Sequence, residues 1–263
     1  MNPMSTSPRP EVTFIMPALN EEKNVFQAIE NGIRSFDTFD IRGEIIVVND
    51  GSSDRTGEII EKAIMQYGEK VRQITHEKPQ GIGACFWEGV NVAFGEGVVM
   101  MPGDNENDPD EILRYHKLLN HVDLVIPFVY NKHVRSFFRM FLSFAYRFIV
   151  NTTFLVNLHY TNGTILYRKS ILQTLTHRSW GFFFQTDIAI RLLKLGYLFA
   201  EVPYRVSLRK EGLSKAVTFP SLLQVVKGYL RLVKEIYFDR NAKMLDVFSK
   251  DSLTAKRREN TAR

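Results

Sequence analysis

The sequence predicts an α/β fold, in which helices cover both faces of a mixed, mostly parallel sheet. In the first half of the chain, runs of continuous apolar residues alternate with segments of helical periodicity. That alternation is typical of strands that crossover helices bury on both faces. Polar loops follow three of the apolar runs, and ligands bind at the carboxyl ends of the strands in sheets of this kind. The three polar loops are therefore expected to lie at one edge of the sheet and to form the functional site.

Four strands and their connecting helices are predicted in the first half. The apolar runs place the strands at residues 12–19, 44–50, 71–77 and 97–101. Helical patterns follow the first three strands and end near residues 36, 67 and 94. The first helix begins at Asn20, Glu21 and Glu22, and the candidate caps for the second helix are Ser52, Ser53 and Asp54.

The second half has a less regular pattern. It predicts, in order, a helix over about 110–120, a strand over 122–128, a basic aromatic segment over 135–156, a strand near 164–167, a helix near 187–195, a strand over 197–204, a loop over 209–215 and a helix over 219–238. The simplest division has a disordered leader (1–11), one domain (12–217), an amphipathic helical extension (218–247) and a disordered basic tail (248–263).

Composition limits the classes of protein. The 263 residues, 44% of them apolar, suffice for one large domain. The single cysteine, Cys85, excludes an intramolecular disulfide and favours a reducing compartment. Neither a signal peptide nor a membrane-spanning helix is predicted. The net charge of +5 suits an anionic substrate or a membrane surface, and no interleaved basic and aromatic motif indicates nucleic-acid binding.

Two common nucleotide-binding loops are not found. No Walker A sequence occurs, and Gly81-Ile82-Gly83 has Phe86 where a dinucleotide-binding loop needs its last glycine or alanine. At the end of the second predicted strand, Asp50 allows two interpretations. It contacts a base or ribose in the crevice of the sheet, or the stretch from Asp50 to Asp54 is only a turn with a helix cap.

The acidic stretch after the fourth strand also allows two interpretations. Asp104 and Glu106 offer the oxygen ligands that Mg²⁺ and Mn²⁺ prefer. Alternatively, the acids and Pro109 begin the next helix, since proline and carboxylates suit its first turn. We expect both to hold, with the stretch from Asp108 to Glu111 at the helix start and Asp104 and Glu106 at the metal.

In this order, the motifs resemble those of the family 2 glycosyltransferases, and within them the dolichyl-phosphate mannose synthase group. The resemblance spans roughly residues 12–215 and is carried by Pro17-Ala18-Leu19-Asn20-Glu21-Glu22, Val48-Asn49-Asp50-Gly51-Ser52-Ser53-Asp54, Gly81-Ile82-Gly83, the acidic loop, Phe182-Phe183-Phe184-Gln185-Thr186-Asp187, Glu201-Val202-Pro203 and Arg209-Lys210-Glu211-Gly212-Leu213-Ser214-Lys215. It implies a GT-A fold, a Rossmann-like nucleotide-diphospho-sugar transferase architecture.

The resemblance also implies a donor site for a nucleotide-diphosphate sugar. Its nucleotide-binding residues would be Pro17, Leu19, Asn20, Glu21, Asp50 and Gly83. Asp104 matches the second acid of the family's Asp-x-Asp metal motif, and Glu106 stands where the group often has a metal-contacting glutamine. Pro102 replaces the first acid and offers no ligand. We still expect Mg²⁺ or Mn²⁺, because these ions need few protein ligands.

For the reaction, the resemblance implies inverting transfer to a polyprenyl phosphate, with Asp104, Asp187 and Arg209 as catalytic residues. The residues expected near the acceptor phosphate are Arg135, Arg139, Arg209, Ser214 and Lys215. Asp187 would be the general base for a hydroxyl acceptor, and it would position or support a phosphate acceptor. The alternative is that Asp187 is an exposed acid in the first turn of a helix.

The long helix predicted over 219–238 carries two stripes, one basic (Lys227, Arg231 and Lys234) and one apolar (Leu222, Val226, Leu230, Val233 and Tyr237). Such a helix either lies in a membrane interface or packs on the core with a solvated basic side. The histidines show no ligand spacing and are expected to be surface or structural residues.

The sequence therefore predicts a polyprenyl-phosphate glycosyltransferase, peripheral on the cytoplasmic face of a membrane. One alternative is a glycosyltransferase that acts on a hydroxyl of a glycan or lipid. The other is an inactive relative that binds a nucleotide without turnover.

Overall fold

The computed structural model describes residues 9–131, 137–161, 163–205, 219–239 and 248–261, with the backbone alone described over 137–140 and 219–221. The strands are β1 (Val12–Ala18), β2 (Gly43–Asn49), β3 (Val71–Thr75), β4 (Gly97–Met100), β5 (Leu124–Val129), β6 (Leu166–Arg168) and β7 (Phe199–Tyr204). They form one sheet in the order β3-β2-β1-β4-β6-β5-β7. Only β6 runs antiparallel to its neighbours in this sheet. The predicted mixed, mostly parallel sheet is confirmed.

Helices cover both faces of the sheet. They are α1 (Val25–Thr38), α2 (Thr56–Tyr67), α3 (Ile82–Val92), α4 (Asp110–Leu113), α5 (Phe137–Phe154), α6 (Lys169–Leu172), α7 (Phe184–Leu195), α8 (Phe219–Tyr237) and α9 (Leu253–Thr261). Alternate residues of the central strands β1 and β2 enter two separate cores: Ile15 and Ile46 pack on the side of α3 and α7, whereas Phe14 and Ile45 pack on the side of α1 and α2. Because both faces of these strands are buried, their sequences are nearly continuous runs of apolar residues.

The loops after four strands begin side by side. The amide of Gly103 donates to the carbonyl of Pro17, the amide of Asp50 to that of Ala18, and the amide of His76 to that of Asn49, each at 2.9 Å. The parallel ladders therefore continue just beyond the strand ends. As a result, the polar segments after β1, β2, β3 and β4 share one edge of the sheet.

Two helix boundaries differ from the predictions. The first helix begins at Val25 rather than at Asn20, because Asn20 has a φ of 55° and lies in a loop. The helix expected over 110–120 is divided into α4 and a 3-10 segment, His116–Asn120. The short helix α6 was not predicted.

The structure also differs from the prediction of a disordered tail from residue 248. Helix α9 forms within this segment and docks on the domain through a buried carboxylate. Asp123 accepts hydrogen bonds from the amides of Leu253, at 2.7 Å, and Thr254, at 3.0 Å. These amides lie at the start of the helix, where backbone N–H groups need an acceptor. The acceptor is distant in the chain, so the local composition does not reveal it.

Candidate active site

The loops after β1 and β2 are joined by reciprocal hydrogen bonds. The amide of Asn20 donates to Oγ of Ser52 at 3.0 Å, and the amide of Ser53 donates to Oδ1 of Asn20 at 2.8 Å. The amide of Glu21 donates to Oγ1 of Thr56 at 2.8 Å. Two of the predicted nucleotide-binding residues, Asn20 and Glu21, therefore belong to one cross-linked rim.

The candidate caps of α2 divide into two roles. Oδ1 of Asp54 accepts the amide of Thr56 at 3.0 Å, so Asp54 satisfies an N–H at the start of the helix. Ser52 and Ser53 instead hold Asn20. Serine, aspartate and asparagine suit both caps and turns, so the residue types alone do not separate the two roles.

The end of β1 lies between the β2 and β4 loops. Pro17 and Ala18 are buried strand residues whose carbonyls accept the amides of Gly103 and Asp50. Leu19 follows them and is partly exposed. The structure thus places the predicted residues Pro17 and Leu19 next to both polar loops. Their contact with a nucleoside stays a prediction.

Asp50 is buried, with 5% of its surface exposed, and three groups donate to its carboxylate. Oδ1 lies 2.7 Å from Nδ1 of His76 and accepts the amide of Gln80 at 2.7 Å, while Oδ2 accepts the amide of Gly81 at 3.0 Å. Burial alone would raise the pKa of Asp50, but the hydrogen bonds from Gln80, His76 and Gly81 outweigh it and lower the pKa. Asp50 is therefore an ionised carboxylate that holds the loop between β3 and α3. Its contact with a base or ribose stays a prediction.

Asp50, His76 and Cys85 place possible metal-ligand atoms within 4.8 Å of one another. Both ring nitrogens of His76 nevertheless face carboxylates, because Nε2 lies 2.8 Å from Oε2 of Glu88. Burial, and then the nearby charge of Asp50, raise the pKa of the Cys85 thiol to about 12. Because both ring nitrogens of His76 already face carboxylates, this group is better described as a hydrogen-bonded cluster than as a metal site.

Gly83 lies where α3 meets the segment before α7. Its amide donates to the carbonyl of Trp180 at 3.0 Å, and a Cβ at this position would lie 2.5 Å from that oxygen. The glycine is therefore required for close packing. The predicted nucleotide-binding role of Gly83 has no test in this geometry and stays a prediction.

The loop after β4 presents the predicted metal ligands. Asp104 is partly exposed, and its Oδ1 accepts the amide of Glu106 at 3.0 Å. The turn between them is held by Asn105, which has a φ of 57° and accepts a hydrogen bond from Asn31 of α1 at 2.9 Å. Two carboxylates two residues apart in one fixed turn are a hard oxygen donor set, and this set fits Mg²⁺ or Mn²⁺. Pro102 adds no ligand to it.

The contacts of the later acids support the second interpretation of the acidic stretch, whereas metal binding by Asp104 and Glu106 stays a prediction. Oδ1 of Asp108 accepts the amide of Asp110 at 3.0 Å, and α4 begins at Asp110. Glu111 is buried, and one of its carboxylate oxygens accepts the amide of Arg205, just after β7, at 2.7 Å. The later acids of the stretch therefore begin the helix and tie it to a neighbouring strand.

Asp187 is buried in α7, with 2% of its surface exposed, so the interpretation as an exposed helix-start acid is wrong. Its Oδ1 accepts Nε of Arg191 at 3.0 Å, and its Oδ2 lies 4.0 Å from Nε2 of His177. Among the residues that the structure describes, Oδ2 has no hydrogen-bond partner. Burial raises the pKa of Asp187 to about 6, against the opposing effect of Arg191 and with a further increase from Glu235.

The predicted acceptor-phosphate residues fall outside this description. Arg135, Arg209, Ser214 and Lys215 are not among the described residues. Arg139 belongs to α5, but its side chain is not described. Their roles stay predictions.

His76 was expected to be a surface or structural residue, and it is buried at the same edge as Asp50. The signal that could have singled it out is its position near the end of the third predicted strand, residues 71–77. The strand-end rule that selected Asp50 applies equally to this histidine.

Comparison with known proteins identifies a matching family and several relatives. The model of glycosyl transferase family 2 matches residues 13–176. Dodecaprenyl-phosphate galacturonate synthase of Rhizobium johnstonii is 28% identical over 166 residues, which cover 62% of this chain and 49% of that protein. Human dolichyl-phosphate beta-glucosyltransferase is 28% identical over 162 residues, which cover 55% of this chain and 50% of that protein. The chain thus spans about half the length of these relatives.

A solved structure has the same fold. Glucosyl-3-phosphoglycerate synthase from Mycobacterium tuberculosis, in complex with uridine diphosphate, superimposes with a TM-score of 0.65 at 18% identity, over 85% of this chain and 80% of that one. The predicted GT-A fold is confirmed. Because the family match extends over residues 13–176 of 263, the protein belongs to glycosyl transferase family 2.

Proposed function

We propose that the protein is an inverting glycosyltransferase that moves a sugar from a nucleotide-diphosphate sugar onto a polyprenyl phosphate at the cytoplasmic face of a membrane. The observation that carries this proposal is the convergence of three loops, with Asn20, Asp50 and Asp104, on one sheet edge of a family 2 chain. The names of two relatives, a dodecaprenyl-phosphate and a dolichyl-phosphate sugar transferase, support the acceptor class.

The donor would lie across this edge, with its nucleoside against the rim formed by Asn20 and Glu21. Asp104 and Glu106 would hold Mg²⁺ or Mn²⁺ beside the donor diphosphate. When bound, the ion would neutralise the negative charge that develops on the leaving group. An acid at position 102, where this chain has Pro102, is not needed to hold the ion. Substrate phosphates and water complete the coordination in sites of this kind.

Transfer inverts the anomeric carbon. An oxygen of the acceptor phosphate attacks that carbon, the new carbon–oxygen bond forms, and the bond to the diphosphate breaks with its electron pair retained by the departing nucleoside diphosphate. A phosphate acceptor is already an anion near neutral pH, so it needs orientation by cations more than deprotonation. Arg135, Arg139, Arg209, Ser214 and Lys215 are the residues proposed to bind it.

A second candidate function is transfer to a hydroxyl of a glycan or lipid, and one observation favours it. Asp187 is buried, its Oδ2 has no hydrogen-bond partner in the described part of the chain, and its pKa is raised to about 6. A carboxylate with a pKa near the working pH is suited to general-base catalysis. A hydroxyl acceptor needs such a base.

The donor half of the proposal is tested by thermal unfolding with Mn²⁺ and UDP, GDP or dTDP. We expect one nucleoside diphosphate to raise the Tm in the presence of the ion, because a ligand that binds only the folded state stabilises it. The inactive nucleotide-binding alternative makes the same prediction for binding, and it is separated by donor hydrolysis or transfer. The absence of a response to every nucleotide would contradict the donor site.

The membrane part of the proposal is supported by the faces of α8. Gly228 and Leu232 are buried, whereas the predicted apolar stripe stays largely outside the core, with Leu222 60% and Leu230 59% exposed. The basic stripe, which includes Lys227, is exposed as well. The core-facing interpretation accounts for the exposed basic stripe but not for the exposed apolar stripe. An apolar face beside a basic face is the arrangement expected of a helix in an anionic membrane interface.

Helix α5 extends this exposed apolar surface. Its Thr153 bonds to α8, with Oγ1 2.6 Å from the hydroxyl of Tyr229, and the ring of Phe154 packs beside Tyr229 with centroids 5.9 Å apart. Large side chains of α5 that stay exposed are Phe141, Leu142, Phe144, Phe148 and Ile149. Among the described residues, no helix is long and apolar enough to cross a membrane.

The double variant Leu222→Ser/Leu230→Ser is expected to bind vesicles of phosphatidylcholine and phosphatidylglycerol at least tenfold more weakly than the wild type. Burial of each leucine contributes about 1.5–3 kcal/mol, and a tenfold change corresponds to about 1.4 kcal/mol. Co-sedimentation measures the binding. Met65→Ser is the matched control, since Met65 of α2 is 82% exposed and lies outside this surface. Equal binding of the double variant and the wild type would contradict the membrane proposal.

A further inference from the structure

His76 lies between two carboxylates, each held by a different element. Its Nδ1 is 2.7 Å from Oδ1 of Asp50, at the end of β2, and its Nε2 is 2.8 Å from Oε2 of Glu88, in α3. The imidazole is almost completely buried, whereas the Glu88 side chain is 39% exposed. The histidine therefore links the end of β2 to α3.

The two contacts fix the protonation state of the ring. An ionised carboxylate can only accept hydrogen bonds, and a neutral imidazole donates through only one of its nitrogens. Both contacts are hydrogen bonds only if both nitrogens carry a proton. His76 is therefore an imidazolium between two carboxylates, and the third nearby titratable group, the Cys85 thiol, stays neutral because its pKa is raised to about 12.

The same carboxylate that faces His76 also holds the loop before α3. Asp50 accepts the amides of Gln80 and Gly81, and Gly81 has a φ of 101°, a backbone conformation that favours glycine. Without the imidazolium, Asp50 would lose the one cation in contact with it among the described residues. A neutral ring can still donate one hydrogen bond to Asp50 or to Glu88 but not to both, so the hold on the carboxylate and on the two amides would weaken.

We propose that His76 is a positioning residue for the donor: as an imidazolium between Asp50 and Glu88, it fixes the Asp50 carboxylate and the Gln80–Gly81 backbone at the nucleoside end of the site, so that nucleotide binding weakens when His76 loses its proton. This inference rests on the proposed function, because it assumes that the edge containing Asp50 binds the nucleoside. It assigns His76 no contact with the reacting atoms.

The direction of the pH dependence follows from the cluster. Burial alone would lower the pKa of His76, but the hydrogen bonds and charges of Asp50 and Glu88 outweigh it and raise the pKa above 6.5. The stabilisation from this contact is therefore complete below about pH 6.5 and is lost as the pH rises through the folded-state pKa. The pKa of Asp50 is lowered, so its contribution is lost only in acid, as the pH falls through the folded-state value.

The test combines nucleotide affinity with the protonation state of the ring. In the wild type with Mn²⁺, the Kd of the nucleoside diphosphate is expected to rise at alkaline pH. Glu88→Gln, which keeps the shape and the hydrogen-bonding capacity of a partly exposed residue, is expected to shift that rise to lower pH.

His76→Gln is expected to weaken binding about tenfold, the effect of losing a hydrogen bond to a charged group, and to abolish the pH-dependent rise. His116→Gln is the matched control, because His116 bonds only to the backbone carbonyl of Leu113, at 2.9 Å, among its described contacts.

Nitrogen NMR of the free protein gives a readout that requires no nucleotide. We expect both ring nitrogens of His76 to be protonated at pH 7, and Glu88→Gln to lower the pH at which one of them loses its proton. A neutral ring in the wild type at pH 7, or an unchanged pH profile of the Kd in Glu88→Gln, would overturn the inference. If NMR shows the imidazolium but no nucleotide binds at any pH, the proposed function fails, and with it the assignment of His76 to the donor.

Discussion

Asp104→Ala is expected to lower sugar transfer on the order of 10²–10³-fold and to abolish the Mn²⁺-dependent stabilisation by nucleoside diphosphate. The size follows from the cost of removing one group that stabilises developing negative charge. We expect Asp104 to supply most of the protein's share of the proposed metal site, because Pro102 provides no ligand and Glu106 is more exposed than Asp104. The measurements are kcat with saturating donor and the shift in Tm on addition of the nucleotide.

The matched control for this variant is Asp108→Ala in the same loop. Oδ1 of Asp108 accepts the amide of Asp110 at the start of α4, so its loss is expected to lower stability by about 1 kcal/mol. It should leave the response to Mn²⁺ and nucleotide in place. If both variants retained full transfer, the acidic loop would have only its structural role.

Asp187→Asn distinguishes the two acceptor classes. If the acceptor is a phosphate, we expect kcat to fall about 10–100-fold while a rise of activity with pH persists, because a phosphate monoester itself titrates near pH 6. If the acceptor is a hydroxyl, the loss is expected to reach about 10²–10⁴-fold and the rise near pH 6 should disappear with the base. A pH profile of kcat with each acceptor measures the difference. Wild-type activity in place of either loss would exclude Asp187 from the reaction.

Asp187→Asn is also expected to change how the stability of the protein depends on pH. Burial raises the pKa of Asp187 from 3.8 to about 6, so its contribution to the free energy of unfolding is complete below about pH 3.8 and is lost as the pH rises through about 6. Asp187→Asn is expected to flatten this part of the stability profile. Glu235→Gln is the matched control, because Glu235 is a second carboxylate that contacts Arg191. It should retain transfer with either acceptor, and any rise of activity that depends on Asp187 should move to lower pH, because the charge of Glu235 helps to raise the pKa of Asp187.

Much of the sheet could be predicted from the sequence because its signals are local. Both faces of β1 and β2 are buried, so most of their consecutive side chains are apolar. These strands can therefore be recognised from the sequence alone. The parallel arrangement then places Asp50 and Asp104 at one edge. That inference required no knowledge of any side-chain contact.

The rest depended on contacts between distant residues. The docking of α9 depends on Asp123, far away in the chain, and the burial of Asp187 depends on the packing of α7 rather than on its position in a first turn. Similarly, the role of His76 is set by Asp50 and Glu88 together. No spacing rule joins these three residues, because each comes from a different element.

The activity that we propose for this sheet edge is sugar transfer to a polyprenyl phosphate. It is tested most directly with labelled nucleotide sugar, Mn²⁺, and a polyprenyl phosphate offered beside the polyprenol of the same chain length. We expect label on the phosphate acceptor, none on the polyprenol, and loss of the product in Asp104→Ala. Label on the polyprenol or on a glycan hydroxyl alone, with none on the phosphate, would contradict it.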